Sequence, residues 1–246
     1  MVRIISICSG KGGVGKTTVA TNLGLALQKL GKSTAVVDTN FTTAHLGLYF
    51  GMLNNPVTLN DFLLGRASMS NAIQIHPSGL RVVPASLNFS DLQGMDTTHL
   101  KELLENEFRG LDFVLIDSAP GFGKEALISM NSCHELIFVA NPYLPSVVDV
   151  AKARHVIEAL ENRPYTTGVI LNRVRRKSYE LKTEEVAQFC SMPVLGSIPE
   201  SEKILAASNK RSLALKGPCH KSFIRIAARL ASIYYKESFW ERLMGI

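Results

Sequence analysis

Gly10-Lys11-Gly12-Gly13-Val14-Gly15-Lys16-Thr17-Thr18 follows directly on the apolar run Ile4 to Cys8. The stretch fits G-x-x-x-x-G-K-[ST] in the strand-to-helix setting that gives this pattern its meaning. Its glycines let backbone N–H groups approach phosphate oxygens where a Cβ would intrude, and a helix starting at about Lys16 aims its positive end at the same place. Lys16 adds a point charge for the β- and γ-phosphates of a nucleoside triphosphate. Thr17 offers its hydroxyl to a Mg²⁺ bridging them. Gly10 to Thr18 are therefore all candidate nucleotide contacts. An ordinary glycine turn is the bland alternative, and the flanking strand and helix disfavour it.

Outward from the loop, apolar runs of strand length alternate with helical periodicity, the pattern of βαβ units and a mainly parallel sheet. Strands are predicted at Val2 to Cys8, Ser33 to Val37, Leu80 to Val83, Phe113 to Ile116, Leu136 to Ala140, Thr167 to Leu171 and Val194 to Ile198. Helices are predicted at Thr17 to Leu30, Thr98 to Phe108, Val147 to Glu161, Thr183 to Cys190 and Lys221 to Tyr235. Several strands are apolar throughout, as expected when helices cover both faces. The expected fold is α/β, a P-loop NTPase with a doubly wound sheet whose ligand sits at the carboxyl ends of the strands. One such strand, Phe113-Val114-Leu115-Ile116, ends in Asp117, a candidate to hold Mg²⁺ directly or through a water, with a turn-starting Asp as the plainer reading.

The second lysine separates this loop from the general pattern. Lys11-Gly12-Gly13-Val14-Gly15-Lys16-Thr17-Thr18 resembles the MinD/ParA family of P-loop ATPases. That resemblance implies a homodimer closed around ATP, with Lys11 reaching the phosphates of the other subunit. Physical reasoning alone leaves Lys11 open between that role, added positive potential in cis and a solvent position. Ser118-Ala119-Pro120-Gly121 is similar to the family's second switch segment, which makes Gly121 a candidate γ-phosphate sensor. Asp149 matches the acid that contacts the signature lysine. Asn172-Arg173 and Pro199-Glu200 resemble its adenine-contacting elements. An Asn amide pairs with the N6 and N7 edge of adenine, which favours ATP over GTP, although Asn172 also suits a strand-end turn.

The first switch departs from the family. Asp38-Thr39-Asn40-Phe41-Thr42-Thr43-Ala44-His45-Leu46 carries Asn40 where relatives resemble one another in a second Asp, and His45 where they have Asn. Asp38 remains a candidate for Mg²⁺ and catalysis. A carboxamide hydrogen-bonds a water but does not usefully take its proton, and losing general-base help costs roughly 10²- to 10⁴-fold. Hydrolysis is expected to be slow or partner-stimulated, with Asn40 either natural or an engineered replacement that traps the ATP state.

Composition sets the remaining bounds. At 246 residues and 46% hydrophobic, the chain can bury one large core. Cys8, Cys133, Cys190 and Cys219 form no C-x-x-C pair, which argues against a disulfide framework or a metal-cluster carrier. No apolar run approaches a secretory or membrane-spanning segment, so a cytoplasmic protein is expected.

Net charge is +6, with Arg173, Arg175, Arg176 and Lys177 nearly adjacent and Lys210, Arg211, Lys216, Lys221, Arg225 and Arg229 beyond. Such residues either make an ordinary solvated surface or meet anionic lipid or DNA. Residues 1–235 read as the ATPase domain and 236–246 as an amphipathic tail. On a helix Phe239, Trp240, Leu243, Met244 and Ile246 share one face. This resembles the membrane-targeting tail of the family's MinD branch, and implies reversible peripheral attachment, with docking on the protein itself as the alternative. Nonspecific DNA coating, as in the ParA branch, is the competing output, and any protein regulator is unknown.

Overall fold

The structure, a computed structural model, describes residues 1–52, 55–160, 162–209 and 218–235. Eight strands lie in one sheet of order β3-β4-β2-β5-β1-β6-β7-β8. Their ranges are β1 Arg3–Cys8, β2 Thr34–Asp38, β3 Gln74–Ile75, β4 Arg81–Val83, β5 Phe113–Asp117, β6 Glu135–Ala140, β7 Tyr165–Val174 and β8 Val194–Pro199. Every pairing is parallel except that of β3 with β4. The predicted parallel sheet is therefore what forms, with a short antiparallel edge added.

The helices are α1 Lys16–Lys29, α2 Leu46–Tyr49, α3 Leu59–Leu63, α4 Met69–Ala72, α5 Leu100–Glu107, α6 Lys124–Asn131, α7 Leu144–Glu158, α8 Thr183–Cys190, α9 Glu202–Asn209 and α10 Pro218–Leu230, with a 3₁₀ turn at Phe89–Leu92. Alternation along β1 shows the two-sided core. Ile4 and Cys8 point into the layer that α5 to α8 cover, while Ile5 and Ile7 point into the layer under α1 and α10. With both faces covered, β2 and β5 are buried at every position.

Helix α1 needs the tightest fit. A Cβ at Gly24 would lie 2.6 Å from Val36 Cγ2, so the glycine lets α1 sit directly on β2. The helix ends at Gly31, whose φ of 78° suits a left-handed closing residue. There Gly31 N–H donates to Gln28 O and Lys32 N–H to Leu27 O, each at 3.0 Å, satisfying carbonyls the helix would otherwise orphan.

Four helix boundaries differ from expectation by three residues or more, one of them the end of α7, at Glu158 rather than Glu161. Helix α7 starts at Leu144, three residues before the predicted Val147, because Pro145 fits the first turn, where no amide is required. Helix α10 starts at Pro218 rather than Lys221 and stops at Leu230 rather than Tyr235. The unpredicted helices have 4, 5, 4, 8 and 8 residues for α2, α3, α4, α6 and α9; the first three are too brief for periodicity to register, and α6 and α9 place their apolar residues less to one side than the equally short α5 and α8. Among the described residues no helix is long and apolar enough to cross a membrane.

Candidate functional site

Parallel strands carry their carboxyl ends to one edge, and the glycine loop lies there between β1 and α1. Gly13 and Gly15 adopt φ of 79° and 100°, left-handed values that an L side chain would strain. Gly15 is the N-cap of α1 and no side chain caps that helix, so its first amides are left to a ligand. Two contacts fix the loop from behind. A Cβ at Gly10 would collide with Asp149 Cβ and lie 2.9 Å from that residue's carbonyl carbon, while one at Gly15 would strike Asn172 Nδ2. Asn172 is buried and donates from Nδ2 to Val14 O at 2.8 Å, and Asn141 Nδ2 donates to Asn172 O at 3.0 Å. The ends of β6 and β7 thus brace the loop.

Ser9 is a partner the sequence reading missed. Lys16 Nζ donates to its Oγ at 2.9 Å, that hydroxyl donates to Lys11 O at 2.8 Å, and Gly121 N–H donates to its carbonyl at 3.0 Å. Lys16 is buried, and desolvation pulls its ammonium below the usual lysine range, opposed by Asp117. A residue directly preceding the motif was the available signal for Ser9.

Asp38 and Asp117 are directly opposite in the β2–β5 register and both fully buried. Adjacent strands sit about 4.8 Å apart, so the carboxyls are neighbours. Burial, then mutual repulsion, pushes Asp38 well above the usual carboxylate range. Asp117 is pushed up to about 6 by burial, against the Thr17 hydroxyl bond and Lys16. Their hydrogen bonding differs. Asp38 Oδ1 accepts Asn40 N–H and Oδ2 accepts Leu46 N–H, both at 3.0 Å, whereas Asp117 Oδ1 is buried without a protein partner. An orphaned carboxylate oxygen on a group already bonded to Thr17 fits a hard divalent cation.

Asn40 is folded into its own loop, donating from Nδ2 to Thr43 O at 2.7 Å while Oδ1 accepts Thr43 Oγ1 at 3.0 Å. Its neighbour Thr39 donates through its amide to Asp117 O at 3.0 Å. Thr18 Oγ1 and Tyr49 Oη share a hydrogen at 3.0 Å, joining α1 to α2. Lys11 and Gly12 are exposed. Asp149, in α7, lies 3.9 Å from Lys152 Nζ.

Arg173, at φ 59°, and Pro199 end β7 and β8. Glu200 donates its amide to Val174 O at 3.0 Å, and its carboxylate accepts both Nε and Nη2 of Arg175. Arg175 is thereby held in an ion pair, and Glu180 accepts the backbone amides of Arg175, Arg176 and Lys177. Further along, Arg229 donates to the carbonyls of Val194 and Leu195. Among the described late basic residues, the side chains of Arg175 and Arg229 are thus engaged within the fold. Lys210, Arg211, Lys216 and the tail residues Phe239, Trp240, Leu243, Met244 and Ile246 lie outside the described residues.

Comparison with known proteins agrees with this fold. Residues 5–214 match the model of the CobQ/CobB/MinD/ParA nucleotide-binding domain. An uncharacterized ATP-binding protein of Methanocaldococcus jannaschii is 36% identical over 252 residues, covering 97% of this chain and 94% of that protein. The cell division ATPase MinD of Pyrococcus furiosus superposes with a TM-score of 0.88 at 32% identity, covering 94% of this chain and 99% of that one. The septum site-determining protein MinD of Pyrococcus horikoshii, solved with Mg-ADP, gives 0.87 at 31% identity, covering 94% and 96%. This chain is accordingly a member of the CobQ/CobB/MinD/ParA family of P-loop ATPases, in its fold and across nearly its whole length.

Proposed function

We propose that the protein is a MinD-like nucleotide switch that binds ATP with Mg²⁺, pairs with a second copy in that state and hydrolyses ATP slowly. The observation carrying this reading is the meeting, at one sheet edge, of the glycine cradle, the buried Lys16 and the orphaned Asp117 oxygen. In the bound state Mg²⁺ neutralises charge on the phosphates. Thr17, Asp38 and Asp117 would hold the ion, with the Asp38 carboxyl already oriented by the Asn40 and Leu46 amides. Loop amides and Lys16 orient the triphosphate, Gly121 leaves Ser9 O for the γ-phosphate, and Lys11 serves the second copy. Adenine meets the Asn172, Arg173, Pro199 and Glu200 corner.

Output is membrane positioning of the cell-division kind. Two tails in a dimer bind by avidity where one is marginal, which makes attachment reversible and ATP-dependent. Within the late cluster that a DNA-coating reading would use, Glu200 ion-pairs with Arg175, which counts against that reading. Turnover of Asn40→Asp tests the catalytic part. The variant is expected to hydrolyse ATP roughly 10²-fold faster, with nucleotide affinity within a few-fold. An unchanged rate would reject Asn40 as the position of the missing base.

A further inference from the structure

The loop of residues 38–46 is tied to α6 at two heights. At its base the Thr39 and Ser129 hydroxyls share a hydrogen at 2.7 Å, and Ser129 Oγ also bonds Glu125 O at 3.1 Å. Near its tip one carboxylate takes both donors of one residue. Glu125 Oε2 accepts Thr42 N–H at 3.2 Å, and Oε1 accepts the Thr42 hydroxyl. Glu125 lies in the first turn of α6, where the helix's positive end favours a carboxylate. Helix α6 in turn starts after Gly123, two residues past Gly121, whose amide is on Ser9 O. A covalent and hydrogen-bonded path thus runs from the glycine loop through Gly121 and α6 to Thr42.

The loop's own fastenings make this the point that matters. Asp38 anchors its two ends by accepting Asn40 N–H and Leu46 N–H, and Asn40 and Thr43 hold each other. Phe41 and Ala44 are buried in the core on either side of the tip, but Thr42 and Thr43 between them are exposed. Among the described residues, the hydrogen bonds that reach that tip from another element come from the α6 carboxylate of Glu125.

We propose that Glu125 is a positioning residue: it makes the Asn40 loop travel with α6, so that a shift at Gly121 moves both switch segments together. This rests on the nucleotide-switch reading above. A carboxylate bonded to two donors holds orientation as well as distance, and bonds to a charged group are worth about twice a neutral one. The carboxamide of Glu125→Gln offers one acceptor oxygen in place of two.

Amide hydrogen exchange on the full chain, read separately for residues 39–46 and 121–131, tests the coupling. Without nucleotide, Glu125→Ala is expected to speed exchange of 39–46 about tenfold while 121–131, which loses a first-turn carboxylate, stays within about fivefold of the wild type. With ADP and Mg²⁺, wild-type protection changes in both segments, and in Glu125→Ala the change at the tip, residues 41–44, is lost while that of 121–131 remains. ATP turnover in Glu125→Ala is expected to fall about tenfold in kcat with KM within twofold, and Glu125→Gln lies between the two. Unchanged exchange of 39–46 in Glu125→Ala overturns the proposal, as does a loss confined to KM. Should Glu125→Ala fail to fold by circular dichroism, Thr42→Val decides alike, with about threefold faster exchange expected and none contradicting. If calorimetry finds no nucleotide uptake by the wild type, the switch reading fails. The nucleotide-free exchange comparison still decides whether Glu125 holds the loop.

Discussion

At the scale of single residues, the sheet edge concentrates groups held in costly states. Asp117 is fully buried and pushed up to about 6 from an ordinary 3.8, so the folded state holds a proton that the unfolded chain has lost between those values. The sign follows from linkage: this group's contribution to stability falls as pH rises from about 4 to about 6, and the full desolvation cost is present above that. Asp117→Asn removes the charge without changing shape. In chelator and without nucleotide, denaturant melts should therefore show the variant gaining on the wild type across that window, by on the order of a few kcal/mol at pH 7. A gap that does not change with pH contradicts the burial account. Gly10 gives a steric counterpart: Gly10→Ala drives a methyl into Asp149 and should cost about 1–3 kcal/mol in stability, with nucleotide binding lost.

At the scale of elements, what the sequence disclosed depended on how far each signal reaches along the chain. Strands β1, β2, β5 and β6 were legible within a residue or two because all-apolar runs of this length suit a doubly covered sheet. The cradle was legible because its glycines sit at fixed offsets. Helix α6 was not, since Ala126, Leu127 and Ile128 run consecutively rather than along one face, whereas the equally short α8 keeps its apolar residues to one side. Nor was the bracing of the loop by Asn172, which is 158 residues from Val14 along the chain and brought to it only by the sheet. That brace yields a prediction. Asn172→Ala leaves Val14 O buried without its donor, so thermal stability should fall by about 1–3 kcal/mol and ADP affinity several-fold. Native stability and affinity in the variant would remove Asn172 from the site's support. Strand β7 adds a second test, because a Cβ at Gly168, at φ 150°, would strike Pro193 O. Gly168→Ala should cost about 2 kcal/mol or more in denaturant melts without changing nucleotide affinity.

For the whole molecule, sheet topology and charge divide the labour. The glycine loop, the two acids and the segments 38–46 and 118–121 gather at the carboxyl edge, which is where the doubly wound order opens between β1 and its neighbours. The sequence told of the family through Lys11 and its glycines, but the state of Arg175 needed the fold, since Glu200 comes from the next strand. If two copies close over ATP, sedimentation with Mg²⁺ and a non-hydrolysable ATP analogue should double the mass. Lys11→Ala should stay single while still binding ADP, and a doubled mass in that variant removes the in-trans role. The most direct measurement of the central claim is calorimetric titration of the full chain and of Lys16→Ala with ATP and Mg²⁺. The account predicts one nucleotide per chain, weakened about 10- to 100-fold or more by the substitution. Absent heat in the wild type, or equal affinity in both proteins, would contradict it.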